Sequence, residues 1–111
     1  MLLIVNTDHG YLLGEHKWWA KNVMPVYQEI ANIPMYVWSP TAQKRNLKSE
    51  ALVQTIDIAP AILNYFDLPV PDDMQGENLL HVLAEGKSLR KYALFGYFGK
   101  HVNITDGRYV Y

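Results

Sequence analysis

Asp8 and His9 stand side by side directly after the apolar run Met1-Leu2-Leu3-Ile4-Val5, and they offer a carboxylate oxygen and an imidazole nitrogen. Together these are hard and borderline donors suited to a divalent cation. The pair can equally be read as a turn-capping Asp with an ordinary polar neighbour. Its surroundings favour chemistry: Gly10, Gly14, Glu15, His16, Lys17 and Lys21 crowd the next dozen positions, with Trp18 and Trp19 between them. Lysine is a compact cation with three donors and suits a tetrahedral oxyanion such as sulfate or phosphate. Lys17 and Lys21 both qualify, and the local sequence does not separate them. Adjacent residues of an ideal strand point to opposite faces, so Asp8 and His9 can share a metal only where the strand is already turning. Gly10 is expected to supply the freedom for that turn.

The elements that must position these residues follow from the pattern. Residues 1–7 read as a buried strand, apolar on both faces and therefore expected to be central and parallel. Ligands of open α/β sheets collect at the C-terminal strand ends, where Asp8 and His9 fall. Residues 10–22 form a loop. Residues 25–32 suggest a short helix, with Val26, Ile30 and Tyr27 on one face. Residues 33–38 read as a second strand, with Pro34 tolerated near its start. Residues 41–50 are a polar, solvated loop.

Within residues 51–68, Ile58, Ile62, Tyr65 and Phe66 recur at helical spacing, with Thr55 or Asp57 as N-cap candidate and Pro60 near the first turn. Residues 68–76 are rich in Pro and Asp and read as turns. A short helix over 79–83 should stop near Gly86. Residues 92–98 and 102–105 have strand composition, and Asp106-Gly107 signals a turn before Arg108-Tyr109-Val110-Tyr111. The expected fold class is α/β: a partial mixed or parallel sheet with flanking helices over residues 1–90, then a small C-terminal antiparallel hairpin region over 91–111.

Composition narrows the function classes. A chain of 111 residues, 50% apolar, supports one ordinary core. A formal net charge of -1, with Lys44-Arg45 and Arg90-Lys91 the only basic doublets, argues against nucleic acid or an anionic membrane as partner. The chain contains no cysteine, which excludes disulfides, thiolate metal sites and a cysteine nucleophile within these residues. The apolar start is too short for a signal-peptide core or a membrane span.

Residues 6–21 (Asn6-Thr7-Asp8-His9-Gly10 through Gly14-Glu15-His16, Trp19 and Lys21) resemble the block TSDHG-x-x-x-GEH-x-x-W-x-K of type I sulfatases in the alkaline phosphatase superfamily. Four further blocks follow in that family's order. Residues 33–40 resemble its VPL…P strand and residues 54–63 its DLAPTLL helix. Leu68-Pro69-Val70-Pro71 with Met74-Gln75-Gly76-Glu77-Asn78-Leu79 resembles LPVP…MQG-x-SL, and Asp106-Gly107-Arg108-Tyr109 resembles the GRYKY hairpin.

The resemblance implies that Asp8 and His9 are metal ligands. The cation would be Ca²⁺ foremost, with Mg²⁺ or Mn²⁺ as alternatives, incompletely ligated by these residues. It also implies that Lys21, rather than Lys17, is the catalytic lysine that contacts the transferring sulfate. The family's nucleophile is a formylglycine made from a C/S-x-P-x-R motif that precedes the DHG block. Ser39-Pro40 follows that block and lacks the arginine.

The resulting expectation is the C-terminal portion of a sulfatase, inactive alone, whose parent cleaves a sulfate-ester small molecule or glycan. A phosphonate monoester or phosphodiester hydrolase of the same superfamily, and a non-catalytic binding module, are the alternatives. Exposed sheet edges would favour self-association. Trp18 and Trp19 are read as core packing or pocket lining, Lys100 and His101 as a hairpin-edge pair, His81 as a surface helix residue, and Asn103-Ile104-Thr105 as strand sequence.

Overall fold

The computed structural model describes residues 1–21, 25–42, 46–86 and 88–111. Asn22, the last residue of the expected loop, and the Lys44-Arg45 doublet lie outside them. The described residues form a mixed α/β fold with three two-stranded antiparallel sheets.

Strand β1 (Leu3–Asn6) pairs with β4 (Met35–Trp38), Leu3 opposite Trp38 and Asn6 opposite Met35. The pairing is antiparallel, which corrects the parallel orientation expected for the first strand. A parallel partner needs a connection that returns along the full strand, about 13 Å for four residues. The excursion between Asn6 and Met35 instead holds a small hairpin, β2 (Leu12–Leu13) with β3 (Trp19–Ala20), and α1 (Gln28–Ala31). Helix α1 spans only about 6 Å, and the chain re-enters beside the end it left. Nor is β1 buried on both faces: Leu3 and Val5 are exposed, as are Tyr36 and Trp38 opposite them.

Gln54 caps a 3₁₀ turn (Thr55–Asp57) that runs straight into α2 (Ile58–Tyr65). Asp57 is thus the last residue of the turn and stands at the N-cap position of α2, though its side chain makes no cap bond to that helix. Its carboxylate closes a capping box by accepting the Gln54 amide at 2.7 Å. The face turned inward carries Pro60 and Ala61, while Ile62 and Phe66 stay exposed. Small residues win that face because α2 packs closely on α3 (Leu79–Glu85), whose Leu79 and Val82 are buried.

Asn78 caps α3 by accepting the Leu80 amide at 2.9 Å, and Gly86 ends it with φ 73, a left-handed stop that glycine makes without strain. His81 lies on the exposed side, as expected.

Asp57 ties these pieces together. It is 1% exposed and accepts from the Glu77 amide at 2.8 Å and from both Arg90 guanidinium nitrogens at 2.5 and 2.6 Å. A buried carboxylate is costly unless every lone pair is matched, and here the bidentate arginine and two amides match them. The C-terminal hairpin is as expected: β5 (Ala93–Gly96) pairs antiparallel with β6 (Val102–Thr105), and Thr105 bridges Val110 beyond the Asp106-Gly107 turn.

Candidate metal and anion corner

Chain geometry just past β1 brings the three sequence candidates together. The strand ends at Asn6, so Asp8 lies in a bend and escapes the alternation of a strand. Gly10 acts differently from expectation. Its φ is not left-handed, but a Cβ there would lie 1.7 Å from the Glu29 carbonyl oxygen. Glycine is needed for close approach to α1, where the Gly10 amide donates to the Ile30 carbonyl at 2.8 Å.

His9 is half-buried, and its Nδ1 donates to the Gly10 carbonyl at 2.9 Å. A carbonyl only accepts, so that bond keeps the proton on Nδ1 and leaves the Nε2 lone pair to face the cleft. Nε2 lies 2.5 Å from Lys21 Nζ and 3.6 Å from Asp8 Oδ1. The Asp8 side chain is 84% exposed, with the Thr7 hydroxyl at 3.4 Å. Partial desolvation pushes the Asp8 carboxyl up, but its own backbone amide, the neighbouring His9 imidazole and the Thr7 hydroxyl together hold it below the usual carboxylate range.

This donor set fits a hard or borderline cation. Two donors about 2.4 Å from a shared Ca²⁺ and at right angles to it are about 3.4 Å apart, close to the observed spacing. Two ligands do not complete a coordination shell, and no cluster of three or more His, Cys, Asp or Glu occurs among the described residues.

Asp8, His9 and Lys21 line one cleft of about 690 Å³ with Tyr97 and Phe95 of the C-terminal hairpin. Lys17 does not reach it and sits on the exposed 3₁₀ turn (Glu15–Lys17). Trp18 and Trp19 are 53% and 68% exposed, which corrects the core-packing expectation, and they do not line that cleft.

The Gly14-Glu15-His16 segment is a clip on the same loop. His16, at φ 55, stacks on Tyr27 with ring centroids 3.7 Å apart and meets both Glu29 carboxylate oxygens at 3.3 Å. Glu15 turns back to accept the Leu13 amide at 2.5 Å; its own amide foremost, and then that bond, hold its carboxyl below the usual range. The sequence reading missed Glu29, Tyr97 and the Asp57–Arg90 pair. Only proximity in the fold reveals them.

Known proteins similar to this chain are sulfatases. The family model described as N-sulphoglucosamine sulphohydrolase, C-terminal, matches residues 14–109. An N-acetylglucosamine-6-O-sulfatase of Bacteroides thetaiotaomicron is 36% identical over 101 residues, 87% of this chain and 18% of that protein. Arylsulfatase K of Homo sapiens is 31% identical over 84 residues, 76% of this chain and 15% of that protein.

A solved structure of a protein in complex with its substrate D-glucosamine-2-N,6-O-disulfate superposes with a TM-score of 0.79 at 30% identity, covering 96% of this chain and 24% of that one. The chain thus spans less than a quarter of the length of these relatives. With the family model running across almost all of it, the chain belongs to the type I sulfatase family and corresponds to its C-terminal portion.

Proposed function

We propose that this chain carries one side of a sulfatase active site: Asp8 and His9 as ligands of a divalent cation, Ca²⁺ foremost, and Lys21 as the cation that contacts the sulfate. The single observation supporting this most is the meeting of Asp8 Oδ1, His9 Nε2 and Lys21 Nζ within one cleft. Bound there, the metal would supply Lewis acidity toward a sulfuryl oxygen.

The chain's own residues do the rest. Asp8 offers an exposed carboxylate oxygen. The Gly10 carbonyl holds His9 in the tautomer that presents Nε2. Lys21 places its ammonium beside them, where it offsets charge on a transferring sulfate. No C/S-x-P-x-R motif occurs in these 111 residues, so by themselves they should not turn over a sulfate ester. The sulfated amino sugars that name the relatives support a sulfated sugar as the substrate class. The exposed apolar face of Leu3, Val5, Tyr36 and Trp38 supports self-association of the isolated chain.

Calorimetric Ca²⁺ titration of the chain tests the reading. Two protein ligands of the six to eight that Ca²⁺ takes predict binding on the order of millimolar. The heat should vanish when Asp8→Asn and His9→Ala are combined, and 4-methylumbelliferyl sulfate should stay intact throughout. Binding that survives the double substitution, or a chain indifferent to divalent ions, would overturn the ligand assignment.

A further inference from the structure

One side chain carries the C-terminal hairpin to the corner. Tyr97 follows directly after β5, lines the cleft with Asp8, His9 and Lys21, and donates its hydroxyl proton to the Lys21 backbone carbonyl, 76 positions away in sequence. Its own backbone is pinned at the hairpin tip: the Tyr97 amide donates to the His101 carbonyl at 3.1 Å, and the Lys100 amide donates to the Tyr97 carbonyl at 3.1 Å. The ring therefore projects from a closed turn rather than from a loose loop.

On the receiving side, Lys21 follows Ala20, whose φ of 104 is a conformation that a residue with a Cβ keeps only when its neighbours hold it. Pairing of Ala20 with Leu12, itself fully buried, holds it from one direction. The Tyr97 hydroxyl holds the Lys21 carbonyl, one residue further along, from the other.

We propose that Tyr97 is a positioning residue for Lys21. By fixing the Lys21 carbonyl it sets the direction in which the long side chain leaves the backbone, and so seats the ammonium against His9 Nε2. A flexible four-carbon stem turns a small backbone rotation into a large displacement of its charge. This inference rests on the reading of Lys21 as the sulfate-contacting cation, and adds that the C-terminal hairpin decides where that cation stands.

The test uses the full chain labelled with ¹⁵N, comparing the native protein with Tyr97→Phe and Lys21→Met. Long-range ¹H–¹⁵N spectra read the His9 Nε2 resonance, inorganic sulfate serves as the anion probe, and the cross-strand contact between Leu94 and Ile104 reports the hairpin. Tyr97→Phe should move the His9 Nε2 resonance toward its position in Lys21→Met and weaken sulfate binding about fivefold, the size expected for one lost hydrogen bond. The hairpin contact should remain.

An unmoved resonance in Tyr97→Phe with the hairpin intact overturns the proposal. So does loss of the hairpin in that variant, which would make Tyr97 a folding residue. If Lys21→Met leaves sulfate binding unchanged, the anion role of Lys21 fails, and the His9 resonance alone decides whether Tyr97 positions it.

Discussion

Asp57 and Asp8 are the same residue in opposite circumstances. Asp57 is 1% exposed and has its oxygens filled by two backbone amides and both arms of Arg90. Asp8 is 84% exposed and, among the described residues, meets its neighbours Thr7 and His9. A carboxylate whose lone pairs are all matched is committed to holding the fold. One left open beside an imidazole and an ammonium keeps its capacity to take up a cation. Saturation of hydrogen-bonding capacity, rather than residue type, separates the structural region of this chain from the chemical one.

Deleting each carboxylate in turn puts the contrast under most strain. Asp57→Ala leaves a nearly buried guanidinium and two amides without their partner, and should cost about 3–5 kcal/mol in urea unfolding. Asp8→Ala should stay within about 0.5 kcal/mol of the native protein while abolishing the Ca²⁺ heat. Equal losses of stability at the two positions would break the comparison.

Next in size is the cap that continues the Asp57 region into α3. Asn78→Ala removes the acceptor for the Leu80 amide and should cost about 1 kcal/mol, with Ca²⁺ binding untouched. Ala20→Gly sharpens the contrast through its sign: relief of the φ 104 backbone should stabilise the chain by about 1 kcal/mol while weakening sulfate binding as Lys21 loosens.

The smallest effect belongs to Asp106, an exposed carboxylate intermediate between the two. Accepted bonds from the Tyr109 and Arg108 amides hold its carboxyl below the ordinary 3.8. Because the folded value is the lower one, the stabilisation is present above pH 3.8 and is lost as pH falls through the folded value. A thermal-melt series downward from pH 5 should show a smaller loss in Asp106→Asn than in the native chain, because the Asp8 and Glu15 shares remain.

What could be read beforehand follows the same division. Asp8, His9 and Lys21 lie within one short segment; residue type offers Asp8 and His9 with either Lys17 or Lys21, and the family block alone singles out Lys21. The C-terminal hairpin was equally legible, since Asp106-Gly107 and alternating strand residues are local signals. Asp57 and Arg90 are 33 positions apart. Locally one looks like a helix cap and the other like half of a basic doublet, and only tertiary packing turns them into a buried pair. Tyr97 and Lys21 are separated further still. The orientation of β1 is not legible locally, because an apolar run says that a strand packs on something, not in which direction its neighbour runs. Gly10 signalled a tight place correctly, but the constraint came from the Glu29 carbonyl across the fold rather than from its own torsion angles.

The antiparallel union of β1 and β4 has a dynamic consequence. Asn6 and Met35 face each other across the neck of an excursion that contains Asp8, His9, Lys21 and the His16–Glu29 clip. Fluctuations that part this neck would free the whole excursion as one cooperative unit, well below the cost of global unfolding. Asp8, His9 and Lys21 would then come and go together. Each bound ion would slow amide exchange at positions that touch neither of them.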